Sequence, residues 1–215
     1  MEGRGGQGGP DSPAWDEVAR LRAAVASRRS PEDLRSLQVE LLRLAGDPRG
    51  RRVLDLGCGG GALARRLAER GGEVIAVDPD AAAIEQARLD AAGLDPGDRL
   101  EFRVADPADP DSLPQGPFDL VVVHGAALSA PLGHAVRRTR RGGRLLIGAR
   151  HPYAGAEGVE AGGRPLQALF AMLREAGLQA VDVAEPAADD TGQRGFLALL
   201  AQRPRRSRRR HAKAG

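Results

Sequence analysis

The chain has 215 residues, of which 41% are hydrophobic, 28% charged and only 3% aromatic. That length suits one domain with a sizeable core plus short tails, and is too short for a nucleotide-binding domain joined to a full second domain. No run of about 18 or more apolar residues occurs, so no membrane-spanning helix is expected, and a single cysteine, Cys58, excludes an internal disulfide framework and a cysteine-built zinc site.

The opening segment MEGRGGQGGPDSP lacks the apolar core of a secretory signal. Together with the lone cysteine this points to the cytoplasm. The formal net charge is +3, yet Arg203, Arg205, Arg206, Arg208, Arg209, Arg210 and Lys213 crowd into the last residues without an acid, leaving −4 for the rest. The basicity therefore belongs to a tail, and the body is mildly acidic. Such a tail suits a solubilising end; it could also meet a polyanion. Lys213 is the only lysine in the chain.

Residues 1–12 are Gly-rich and polar, and read as disordered. Two N-terminal helices are expected over residues 13–46. The first is capped by Ser12 with Pro13 in its first turn, and carries Trp15, Val18, Leu21 and Val25 on one face. The second opens at Ser30-Pro31-Glu32-Asp33, has the stripe Leu34, Leu37, Leu41 and Leu44, and stops at Gly46. From residue 47 to 203 short apolar runs alternate with helical patterns. Strands are expected at 52–56, 73–77, 100–104, 118–123, 143–148, 178–184 and 195–202. Helices are expected at 61–70, 80–92, 131–140 and 165–176. Unbroken runs such as Leu120-Val121-Val122-Val123 suit a sheet buried on both faces. The alternation predicts an α/β fold, a Rossmann-like doubly wound sheet, and the two consecutive last strands predict an antiparallel ending. Residues 204–215 form the basic tail, also expected to be disordered.

The most informative stretch is Val53-Leu54-Asp55-Leu56-Gly57-Cys58-Gly59-Gly60-Gly61, a strand running into a glycine-rich turn before a helix. Glycines there let a ligand approach the backbone, and the helix start offers free N–H groups. Gly57-x-Gly59-x-x-Ala62 also fits the dinucleotide fingerprint. Three acids separate the readings. Asp55, two residues before Gly57, would repel a pyrophosphate but attract a ligand ammonium. Asp78, ending the second strand, can accept from both ribose hydroxyls, at roughly 1.5–3 kcal/mol for each charge-assisted bond. Asp106, after the third strand, can accept from an adenine amino group. Together they indicate an adenosyl amino-acid ligand. A nicotinamide oxidoreductase would leave Asp55 and Asp106 without a role, and the chain has no Tyr-x-x-x-Lys pair.

On these residues the chain resembles the class I S-adenosylmethionine-dependent methyltransferases. Asp55–Gly61 is similar to their first motif, Val74–Asp78 to the second, Ala105-Asp106 to the third and Phe118–His124 to the fourth. Arg138–Ile147, with Gly142-Gly143, resembles a further segment of the family, in which Arg141 here replaces a proline. The pair His151-Pro152 after that strand resembles the small-molecule branch. The resemblance covers roughly residues 35–202. It implies seven strands in the order 3-2-1-4-5-7-6 with the last antiparallel, and S-adenosylmethionine held by Asp55, Gly57, Cys58, Gly59, Gly61, Asp78, Pro79, Ala105, Asp106 and His124. It implies in-line methyl transfer to a small-molecule acceptor by a monomer or homodimer.

Methyl transfer needs alignment and water exclusion more than a protein nucleophile. A base helps only where the acceptor must lose a proton. His124, after the fourth strand, is the candidate base, with a cofactor or pocket contact as its other role. His151 is the candidate substrate contact. His134, on a helix, reads as solvated, and Asp109 and Asp111 as turn acids. Asp80 reads as a helix cap. Cys58 reads as a small residue admitting the ligand, although a helix start can also lower a thiol pKa. No side-chain cluster suggests a metal. A nucleic-acid substrate is disfavoured, because no Asn/Asp-Pro-Pro-Tyr/Phe loop follows the fourth strand and aromatics for base stacking are scarce. The short small-residue loop 154–163 and the short segment after His124 leave an alternative, a non-catalytic S-adenosylmethionine-binding protein of the same fold.

Overall fold

The computed structural model describes residues 31–93, 99–124, 132–150, 170–171, 173–184 and 196–205. In chain order these form α1 (Pro31–Ala45), β1 (Arg52–Leu56), α2 (Ala62–Glu69), β2 (Glu73–Asp78), α3 (Ala81–Ala91) and β3 (Leu100–Val104). Then come β4 (Phe118–His124), α4 (Leu132–Arg138), β5 (Thr139–Arg150), β6 (Gln179–Ala184) and β7 (Phe196–Gln202). The strands make one seven-stranded sheet in the order β3-β2-β1-β4-β5-β7-β6. Neighbours from β3 to β5 are parallel, and β7 runs antiparallel to both β5 and β6. This is the expected topology. The order reverses between β1 and β4, so a crevice opens at the carboxyl ends of those two strands.

Side chains alternate across each strand and build two cores. Val53, Val74, Ala76 and Val122 pack under α1, α2 and α3 through Leu41, Leu63, Leu67 and Ile84. On the other face Leu54, Leu56, Val121 and Val123 pack with Leu132, Ala135 and Val136 of α4. The strands are apolar on both faces because both faces are covered.

Of the stripe expected on α1, Leu37, Leu41 and Leu44 are buried, while the Leu34 side chain is not among those described. The helix stops at Gly46, whose φ of 65° suits a helix end where only glycine is unstrained. Its last carbonyls are taken by Arg144, which donates to Ala45 O at 2.7 Å and Leu44 O at 3.4 Å. Burial lowers the Arg144 pKa, and nearby Arg51 adds to the effect. α1 sits directly on β5 at Gly148, where an added Cβ would stand 3.1–3.3 Å from Leu37 and Leu41 methyls.

The structure corrects several details. The fifth strand begins at Thr139 rather than residue 143, and α4 ends at Arg138. The register against β4 shifts between Phe118 and Leu120, so Gly142 with φ 78° forms an irregularity inside the strand. Gly142 N donates to Arg203 O and Arg203 N to Gly143 O, which joins this stretch to the end of β7. Arg203, the last residue before the expected basic tail, is thereby tied to the sheet. Its guanidinium donates to Val136 O at 3.0 Å and to Thr139 O. His134 is half-buried rather than solvated, because its Nδ1 lies 3.1 Å from Pro107 O in the turn after β3. Trp15 with the first expected helix, the loop 154–163, half of the helix expected at 165–176 and the tail beyond Arg205 lie outside the described residues. Among those described, no helix is long and apolar enough to cross a membrane.

Candidate active site

The glycine loop leaves β1 and is stitched to the end of β2. Gly57 N and Cys58 N both donate to Val77 O, at 2.9 and 3.1 Å, and Gly61 N returns to Cys58 O at 2.9 Å. Gly57, Gly59 and Gly61 have φ of 81°, 51° and 72°, which other residues adopt only at a cost. Gly61 is doubly constrained. A Cβ there would lie 2.5 Å from the Phe102 ring of β3. At Gly59 and Gly60 an added Cβ would meet nothing within 4 Å, so the outer face of the loop is open. Helix α2 starts immediately after, with Gly61 as N-cap and no side-chain cap. Its first N–H groups therefore face the loop without an internal partner.

Asp78 ends β2 only 6% exposed. Its Oδ2 accepts from Gly59 N at 2.9 Å and its Oδ1 from Asp80 N at 3.0 Å. One carboxylate thus clamps the loop to the strand end. Each oxygen has a second lone pair, so two hydroxyls can still be accepted. Asp80 is the cap of α3, accepting from Ala82 N and Ala83 N at 2.9 and 3.3 Å, as its sequence position suggested. Ala105 N donates to Asp78 O at 3.1 Å, which carries the chain from β3 along the same edge. Asp106 follows, exposed, its Oδ1 accepting from Ala108 N at 2.8 Å. Asp109 Oδ1 accepts from Asp111 N in the exposed turn beyond. Pro79 is exposed beside Asp78.

Asp55 is wholly buried. In register it stands between Ala76 of β2 and Val122 of β4. His124 lies two residues beyond Val122, hence on the same face of the neighbouring strand. Its Nε2 is 2.7 Å from Asp55 Oδ1. Asp55 Oδ2 has no hydrogen-bond partner among the described residues. Sequence reasoning assigned both residues to the site but missed this contact; the signal was their equal two-residue alternation on adjacent strands. It also missed Phe102, which no motif marks and which only the packing under Gly61 reveals.

Cys58 is 6% exposed, and burial pushes its thiol pKa far up, with Asp55 and Asp78 adding repulsion. The helix start does not activate it. Its Sγ lies 3.6 Å from Gly59 O, and it serves as a small filler of the loop. His151, the candidate substrate contact, lies outside the described residues, as does His211. Among the described residues, no group of three His, Cys, Asp or Glu could hold a metal ion.

The donor set matches an adenosyl ligand with an amino-acid end. The loop's open face, the clamped carboxylate at β2 and the acid after β3 follow one edge, and an unpartnered buried carboxylate oxygen lies beneath. This fold and the arrangement of this site are similar to those of the class I S-adenosylmethionine-dependent methyltransferases. Residues 53–143 match the family model described as a methyltransferase domain. The chain is 36% identical over 108 residues to the ubiquinone biosynthesis O-methyltransferase of Bordetella avium, a match covering 50% of this chain and 41% of that one. It is 38% identical over 109 residues to the magnesium-protoporphyrin O-methyltransferase of Rhodobacter capsulatus, covering 51% and 45%. The chain spans less than half the length of the curated relatives it matches. An S-adenosylmethionine-dependent methyltransferase structure from Mesorhizobium loti superposes with a TM-score of 0.62 at 22% identity, over 78% of this chain and 98% of that one.

Proposed function

We propose that the protein is a methyltransferase that transfers a methyl group in line from S-adenosylmethionine to a small-molecule acceptor. The observation that carries this reading is the Asp78 clamp: a nearly buried carboxylate fixes the glycine loop and keeps lone pairs for a ribose. Bound along this edge, S-adenosylmethionine supplies a methyl group on a sulfonium that is already a good leaving group. Asp78 accepts from the ribose hydroxyls, Asp106 from the adenine amino group, and Gly57, Cys58, Gly59 and Gly61 give the backbone close approach. Pro79 and Ala105 flank the nucleoside. The negative charge of Asp55 attracts the ligand ammonium from below the loop. His124 is assigned as a base or a cofactor contact, and His151 to acceptor contact.

The small-molecule class is supported by likeness to a ubiquinone biosynthesis and a magnesium-protoporphyrin O-methyltransferase. We assign residues 47–203 to the catalytic domain and 13–46 to N-terminal helices, the protein working as a monomer or homodimer. A cytoplasmic setting accords with the single buried thiol of Cys58, which needs no oxidising compartment. The test is calorimetric titration of the full chain with S-adenosylhomocysteine, S-adenosylmethionine and NADH. Micromolar binding of the two adenosyl ligands and none of NADH is expected. Folded protein that binds neither adenosyl ligand would end this reading.

A further inference from the structure

The amino edge of the sheet carries two sets of arginines. Arg138, Arg144 and Arg203 donate to backbone carbonyls in the segment before β4 and at the ends of α1 and α4. A second set, Arg49, Arg51, Arg70, Arg141 and Arg205, makes neither an ion pair nor a side-chain hydrogen bond among the described residues. All but Arg51 are exposed. The turns between elements place them. Gly50 N donates to Gly71 O at 2.9 Å, and Arg49 packs beside Gly71, which brings Arg49 to Arg70. Burial, and then repulsion from Arg51, lower the Arg144 pKa, so those two guanidiniums are neighbours. Arg205 lies over Gly142, next to Arg141. The set runs from the start of β2 to the close of β7, four inter-strand steps of about 4.8 Å, or roughly 19 Å in all. The acids beside it are Asp47, Glu69, Glu73 and Asp119, and Asp119 is already taken by Arg52 N and Arg140. Residues 206–215, which continue from Arg205 at this edge, add five cations and no acid.

We propose that this edge is a docking surface for the phosphate backbone of duplex RNA, bound as a partner rather than as a methyl acceptor. Guanidiniums set along a line neutralise successive phosphates and release their counterions, which gives affinity without sequence preference. The chemistry of the edge disfavours other polyanions. A lipid surface needs a second, apolar signal beside a polybasic patch to hold a protein stably. Among the described residues, none of the exposed large apolar side chains belongs to the turns that carry this set, and residues 206–215 hold nothing apolar larger than alanine. A single strand is held by stacking its bases on aromatic side chains. Phe118, the aromatic at this edge, is buried beneath Arg52. A B-form duplex is read by an element laid in its major groove, commonly a helix. Helices α1, α2 and α4 meet this edge only with their C-terminal ends. Arginine-rich segments such as 206–215, by contrast, gain structure on RNA. The five residues of β1 separate this edge from the glycine loop by roughly 17 Å, so RNA docked here leaves the cofactor edge open.

The experiment is fluorescence anisotropy of the full chain with a labelled RNA duplex of about 16 base pairs, over a series of salt concentrations. Micromolar binding at about 50 mM salt is expected, with log affinity falling against log salt at a slope of about −0.9 for each phosphate neutralised. Reversing two charges far apart on the edge, Arg49→Glu with Arg141→Glu, is expected to weaken binding at least about tenfold and to flatten the slope by about 2. Should that chain not fold, Arg49→Gln with Arg141→Gln is measured in its place, and the same flattening is expected. Replacing Arg208, Arg209 and Arg210 by Ala is expected to weaken binding while the remaining affinity still responds to the edge substitutions. Failure of the wild-type chain to bind the duplex overturns the proposal. So does an edge variant that binds with unchanged affinity and slope, because the tail alone would then hold the RNA. A DNA duplex of the same length bound as tightly as the RNA overturns the choice of partner. Vesicles of phosphatidylserine in phosphatidylcholine that bind the chain and are not displaced by the duplex overturn it in favour of a lipid surface. The methyltransferase reading stands or falls separately, since S-adenosylhomocysteine binding is read at the opposite edge.

Discussion

The two edges of the parallel strands carry opposite charges and use them differently. At the carboxyl edge stand Asp55, Asp78 and Asp106, with His124 beside them. At the amino edge stand arginines. Arg52 donates to Pro117 O and stacks on Phe118 at 4.8 Å, and Arg138 donates to Pro110 O and Pro114 O. Arg144 and Arg203 hold the ends of α1 and α4. These amino-edge cations are occupied with backbone carbonyls that would otherwise be left unpaired near the core. The carboxyl-edge acids retain capacity, most plainly at Asp55 Oδ2. Charge at one edge therefore stabilises the fold, and charge at the other keeps acceptor capacity unused among the described residues.

The largest expected effect is at Asp78. Its replacement by Ala removes the ribose acceptor and both bonds that hold Gly59 N and Asp80 N. Charge-assisted bonds contribute roughly 1.5–3 kcal/mol each, so affinity for S-adenosylhomocysteine should fall by at least about a hundredfold. Calorimetry gives the number. An unchanged affinity would break the assignment of that edge to ligand binding.

Arg203→Ala tests the opposite edge. It strips the donors from Val136 O and Thr139 O and leaves the end of α4 unpaired. A stability loss of about 2 kcal/mol is expected from denaturant unfolding, with affinity for S-adenosylhomocysteine unchanged within about twofold. A large affinity change without a stability change would erase the distinction between the edges.

The fold was legible because its signals are periodic and local. Continuous apolar strands, helices of matched length and two adjacent strands at the end suffice for a doubly wound sheet with an antiparallel ending. The ends of β5 were not legible, because Gly142-Gly143 looks like a turn. It became part of a strand through pairing with Arg203, some 60 residues away, and no local pattern carries that pairing. In the site, the glycine loop and strand-end acids could be named because backbone geometry dictates their residue types. The Asp55–His124 contact spans 69 positions and depends on strand register, and Phe102 is marked only by what it packs against. His134 was misjudged for the same reason: its partner, Pro107 O, belongs to a turn remote in sequence.

Asp80 sharpens the comparison most, although its effect is the smallest. It lies at the carboxyl edge, two residues from Asp78, and an argument from position alone would make it a ligand residue. Its Oδ1, however, already accepts from Ala82 N and Ala83 N at the start of α3. By the same reasoning that separates the arginines from the acids, Asp80 should then behave as an amino-edge residue does. Replacing such a cap by Ala costs about 1 kcal/mol, whereas the Asp80 backbone N–H that supports Asp78 survives the substitution. Asp80→Ala should therefore lower the melting temperature by a few degrees and leave S-adenosylhomocysteine affinity within about twofold. Loss of affinity at constant melting temperature would mean that the edge, rather than the state of each carboxylate, decides which acids serve the ligand.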